Sequence, residues 1–166
     1  MPIFAREPDS KFSPCPEGLF QAVCVDVVDL GMMVTQWGDK PKVRIVWQVD
    51  EEDPQTGKRY DVRALYTLSL SDKATLRKHL EAWRGRKFTG PELRGFDLEN
   101  LIGANCQIQI IHHISDEGKT FANVQAIVPA NAKAPKLVPD RYVRDRDRTP
   151  ADARPEAPRE LDEVPF

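Results

Sequence analysis

Hydrophobic and polar positions alternate over several short stretches of this chain, and the alternation predicts its elements. Residues 19–30 (LFQAVCVDVVDL) are rich in β-branched side chains and predict a first strand. Residues 31–39 (GMMVTQWGD) hold a glycine near each end and read as a loop. Over residues 42–49, Val43, Ile45, Trp47 and Val49 share one face, while Lys42, Arg44, Val46 and Gln48 share the other. That period of two marks a half-buried second strand. Residues 50–58 carry Pro54 and a Thr-Gly pair, a hairpin connection. A third strand follows over 59–70, with Tyr60, Val62, Ala64, Tyr66, Leu68 and Leu70 on one face. Arg59, Asp61, Arg63, Leu65, Thr67 and Ser69 lie on the other. The period then lengthens. Ser71 is placed to cap a helix with Asp72 in its first turn, and Leu76, Leu80 and Trp83 fall at i, i+4 and i+7. The helix should end near Gly85. After a basic linker and a short helical turn over 98–102, strands are predicted at 105–113 and 120–128, joined by a turn at 116–119.

Three strands, one helix and two strands is the element order of the OB-fold, a five-stranded Greek-key barrel with its helix between strands three and four. The expected class is therefore mainly β: an OB-fold barrel plus a disordered C-terminal tail. Other α+β folds share this order. Seven of the fourteen prolines fall after Val128. In that region Leu137, Val138, Tyr142 and Val143 are too few to offset an ordering cost of about 1–2 kcal/mol per residue. The chain divides into an extended segment (1–18), the nucleic-acid-binding domain (19–128), a disordered linker (129–160) and an acidic tip (161–166).

Charge complicates the picture. The formal net charge is −2, and the residues before Pro129 are themselves slightly acidic. Any affinity for a polyanion must come from a local groove. No apolar run is long enough for a membrane span, and residues 1–12 lack the apolar core of a secretory signal. The cysteines (Cys15, Cys24, Cys106) are odd in number with no CxxC spacing, as reduced thiols of a cytoplasmic protein would be. No cofactor or metal is expected. His112 and His113 are adjacent, so on a strand they point apart and cannot share an ion.

Binding single strands without sequence preference takes cations along the phosphates and aromatic faces for the bases. An OB barrel offers the outer face of strands two and three, flanked by the first and last interstrand loops. The candidates there are Lys40, Lys42, Arg44, Lys58, Arg59, Arg63 and Lys119. Among the rings, Trp47, Tyr66 and Trp83 share faces with apolar residues and read as core. Trp37, between glycines and near Lys40, is the first choice for stacking; Phe121 is the second and Tyr60 the third. Lys78, Arg84, Arg86 and Lys87 form a second basic patch, and the alternating charges at 144–148 read as solvated surface.

The chain closes on Asp162, Glu163, Val164, Pro165 and Phe166. A terminal ring with its own carboxylate, stiffened by proline, suits an apolar pocket rimmed by Lys or Arg. This ending resembles the acidic tip of bacterial single-stranded DNA-binding proteins, which close with aspartates, an aliphatic residue, Pro and Phe. The resemblance implies that these five residues bind partner proteins of replication, recombination or repair, and that the body resembles phage-encoded OB-fold binders. The setting implied is the cytoplasm of a bacterial cell or phage-infected host. Homo-oligomer formation stays open. Rival readings are a protein-interaction adaptor, an RNA-binding module and a metal-dependent nuclease. The last is the weakest, because phosphate-loop and zinc-protease motifs are lacking and Glu117 with Lys119 is its only local carboxylate–lysine pair.

Overall fold

A computed structural model describes residues 14–147. Its elements are β1 (Gly18–Thr35), β2 (Gly38–Glu52), β3 (Arg59–Thr67), α1 (Thr75–Arg84), α2 (Gly90–Arg94), β4 (Asn105–Ile114) and β5 (Thr120–Pro129), with 3-10 turns at Leu98–Leu101 and Asp145–Asp147. The strands form one antiparallel sheet in the order β3-β2-β1-β4-β5. Strand β1 is long enough to serve two partners: residues 22–35 pair with β2 and residues 18–23 with β4. The edge strands β3 and β5 approach one another without a hydrogen-bonded ladder among the described residues. The expected mainly-β class, five strands and helix after the third are present. Closure into a barrel is not.

The inward positions match the alternation. Val43, Ile45, Trp47 and Val49 of β2 and Tyr60, Val62, Ala64 and Tyr66 of β3 enter one core with Leu76, Leu80 and Trp83 of α1. Each buried Val, Ile or Leu among them contributes about 1.5–3 kcal/mol. Trp47 and Trp83 lie with ring centroids 5.9 Å apart, and Trp83 Nε1 donates to the Asn105 carbonyl at 2.9 Å. Tyr66 meets His79 Nδ1 through its hydroxyl at 2.6 Å.

Several expectations are corrected. The loop at 31–39 is a continuation of the β1–β2 ladder, in which Met32 pairs with Pro41 and Val34 with Asp39. A two-residue turn of Gln36 and Trp37 suffices because Gly38 adopts φ +100°, which side chains disfavour. The third strand stops at Thr67, leaving Leu68 exposed. Ser71 does not cap α1; its carbonyl accepts from Ala74 N in a preceding turn, and the helix begins at Thr75. The linker contains α2, held by a Thr89–Glu92 capping box with Pro91 in its first turn.

The linker expected to be disordered from residue 129 departs most from expectation. Its described part returns over the sheet, and Leu137 and Tyr142 pack on Val23, Val25 and Val46. The bare count of four apolar groups overlooked their partners: β1 and β2 present a matching set of outward valines.

Candidate nucleic-acid interface

Register brings three candidate cations onto one outer face. Lys42 stands opposite Thr67, Arg44 opposite Leu65, and Arg63 opposite Val46. Lys42 Nζ donates to Thr67 Oγ1 at 2.8 Å, a part-buried tie between β2 and β3. Arg44 and Arg63 are half-buried, while Lys40, opposite Met33 in the hairpin, is exposed. Trp37 crowns this hairpin at 77% exposure. The turn beneath it is fixed: Trp37 N donates to Thr35 Oγ1 at 3.1 Å, and that hydroxyl donates to the Gly38 carbonyl at 2.6 Å. An indole held out in water by an ordered backbone forgoes about 25 cal/mol for each Å² of apolar area it leaves wet.

Other candidates fall elsewhere. Tyr60 is 8% exposed and faces the core, because it shares parity with Val62 and Ala64. Phe121 pairs with His113 across the β4–β5 ladder but is only 6% exposed. Alternation shows the side from which a ring leaves the strand, not whether surrounding chain covers it; neither ring offers a free face to a base. Lys119 sits in the β4–β5 turn, 3.6 Å from Glu117, at the opposite end of β1 from the Trp37 turn. Lys58 is exposed in the β2–β3 connection. Arg59 Nη1 donates to the Val138 carbonyl at 2.8 Å.

That contact belongs to a feature the sequence reading missed. Residues 137–145 form a strap held largely through its backbone. The Gln48 amide donates to the Asp140 carbonyl at 2.7 Å and accepts from Asp140 N at 2.8 Å. Asn105 does the same for Leu137, at 2.9 and 2.8 Å. At the far end lies Asp26, 1% exposed. Its carboxylate accepts from Tyr142 Oη at 3.0 Å, Arg144 Nε at 3.0 Å and Asp145 N at 2.8 Å. Arg144 also reaches Glu99 at 2.9 Å. Burial opposes ionisation of Asp26, but the Asp145 N–H, the Arg144 guanidinium and the Tyr142 hydroxyl outweigh it and hold the carboxyl below its usual range. The signal available in the sequence was an aspartate amid the apolar run 22–28, a position that requires partners.

In the second basic patch, Arg84 pairs with Glu92 at 2.8 Å and lies 4.8 Å from the Phe88 ring centroid, so it braces α2; Arg86 and Lys87 remain exposed. His112 bonds the Cys15 carbonyl at 2.6 Å. Burial pushes the Cys15 and Cys24 thiols up to about 12, which leaves both as inert thiols. No helix among the described residues is long and apolar enough to cross a membrane. Asp162, Glu163, Val164, Pro165 and Phe166 lie outside the described residues. No family model matches the chain, and no curated protein matches it.

Proposed function

We propose that this chain binds single-stranded DNA without sequence preference, serving replication, recombination or repair, and that Asp162 to Phe166 dock partner proteins. The observation that carries the reading is Trp37: an exposed ring on an ordered hairpin that continues into Lys40, Lys42 and Arg44. Stacking on such a ring is worth about 1–3 kcal/mol per base and tolerates any sequence, while the cations track the phosphates. The strand order supports an OB-type domain, since β3-β2-β1-β4-β5 is the order a five-stranded Greek-key barrel would have if it were opened between β3 and β5. In that frame the β1–β2 turn and the outer face of β2 and β3 are the expected platform. The overall negative charge is no obstacle, because a local stripe suffices.

The test uses the protein's own fluorescence. Trp47 and Trp83 are buried, so quenching by added poly-dT reports on Trp37. Titration should quench the emission with an affinity that falls steeply as salt rises. Trp37→Ala should weaken binding, followed with labelled oligonucleotide, by about 1–3 kcal/mol. A wild-type chain that ignores poly-dT at low salt rules the function out.

A further inference from the structure

We infer that the strap over residues 137–145 is part of the nucleic-acid surface: Lys136 and Arg141 are further phosphate contacts, and the Asp26–Arg144 pair positions them. The inference rests on the single-strand reading above and extends it to residues outside the sheet. Without the strap, the half of the face nearer the β2–β3 turn would present Val23, Val25 and Val46, which offer neither charge nor ring, and the carboxylate of Asp26. A phosphate chain would be repelled there. With the strap docked, Asp26 is matched by Arg144, and the valines are covered by Leu137 and Tyr142.

The strap itself is neutral, with Arg141 and Arg144 against Asp140 and Asp145, but the longer stretch that contains it has an excess of positive charge. Residues 131–147 hold five Lys or Arg and three Asp, a balance of +2, whereas residues 14–128 hold fourteen basic and sixteen acidic side chains, a balance of −2. Lys136 and Arg141 are exposed and flank the stretch whose backbone Asn105 and Gln48 capture. Arg141 Nη2 lies 3.3 Å from the Gly57 carbonyl in the β2–β3 connection, beside Lys58 in sequence. Lys136, just before the strap, and Arg141, 3.5 Å from Asp140 within it, therefore stand at the end of the platform remote from Trp37.

The experiment measures binding of labelled oligo-dT by full-length variants across a range of salt concentrations. Lys136→Gln with Arg141→Gln should flatten the slope of log affinity against log salt by about 1.4, at about 0.7 per single-strand phosphate contact. Arg144→Ala, which frees the strap and bares Asp26, should weaken binding on the order of tenfold at low salt, as a like charge beside a phosphate path would. Adding Asp26→Asn to Arg144→Ala should recover part of that loss, which a purely structural role would not produce. Tighter binding by Arg144→Ala would show the strap to be a lid over the DNA path and overturn the inference. An unchanged slope in the Lys136/Arg141 variant would overturn it as well. If thermal unfolding shows that Arg144→Ala does not fold, the slope of the surface pair decides. Should the wild type fail to bind at all, the single-strand reading itself is lost; should it bind through Trp37 with both strap variants unaffected, only the strap assignment is lost.

Discussion

Toward the β2–β3 turn, the outward positions of β1 and β2 are Val23, Val25, Val46 and Gln48, and residues 137–145 lie over them. Toward the β1–β2 turn, the outward residues of β2 are Lys42 and Arg44, and the chain leaves that side to the surface. Both halves follow the same alternation on the same strands. What differs is the chemistry of the outward side chains: valines draw a cover of chain over themselves, whereas Lys42 and Arg44 stay partly in contact with solvent. The outward side of these strands is thus two surfaces, one carrying its own cations and the other covered by returning chain.

The largest effect should come from the covered half. Asp26→Ala leaves Arg144 and two further donors without their carboxylate, and the cost expected is about 3 kcal/mol, the low end for breaking a buried pair because Glu99 still holds Arg144. Urea denaturation measures it; a loss below about 0.5 kcal/mol would place Asp26 among ordinary surface charges and erase the contrast between the halves. The same carboxylate gives the covered half a pH signature. Its folded pKa lies below its unfolded value, so its contribution is present above about pH 4 and is lost as pH falls through the folded value. Wild type should therefore lose more stability than Asp26→Ala as the pH falls below about 4.

A smaller step in the same half is Tyr142→Phe, which keeps the ring on the valines and removes only the hydroxyl donated to Asp26 at 3.0 Å. A hydrogen bond to a charged group supports a loss of about 1.5 kcal/mol. Slower amide exchange around Asp140 would contradict the assignment; faster exchange there, with the strands unchanged, is the outcome expected of a loosened strap.

How much of this was legible beforehand divides along the same line. Period-two patterning placed Val43, Ile45, Trp47 and Val49 inside and Lys42 and Arg44 outside, because alternation is a local property of the strand. Trp37 stood out because it lies in a stretch bounded by Gly31 and Gly38 and close to Lys40, where a ring has no strand face to share. The strap was invisible because its stability is not local. Leu137 and Tyr142 gain burial only from valines roughly a hundred residues earlier, and Asp140 is held by an amide on β2. Tyr60 failed as a stacking candidate because its place at a strand start was taken for exposure, and Phe121 because the face it shares with Asn123 and Gln125 was; exposure depends on the rest of the chain.

The smallest effect on stability is expected in the open half, and its smallness is the informative part. Lys42→Gln with Arg44→Gln removes two charges from the platform while leaving the inward face of β2 untouched. The bond from Lys42 to Thr67 is only part-buried and the core side of β2 is unchanged, so the pair of substitutions should cost on the order of 0.5–1 kcal/mol of stability in total. Binding should respond differently, with the slope of log affinity against log salt flattening by about 1.4. Denaturation and oligo-dT titration on the same preparation separate the two readouts. A cost above about 1 kcal/mol would mean that these cations hold β2 to β3, and the charged half would then be structural like its neighbour. A small stability cost with a flattened salt slope is what a surface kept open for a ligand requires, because side chains that serve a binding partner contribute most of their energy only once that partner has arrived.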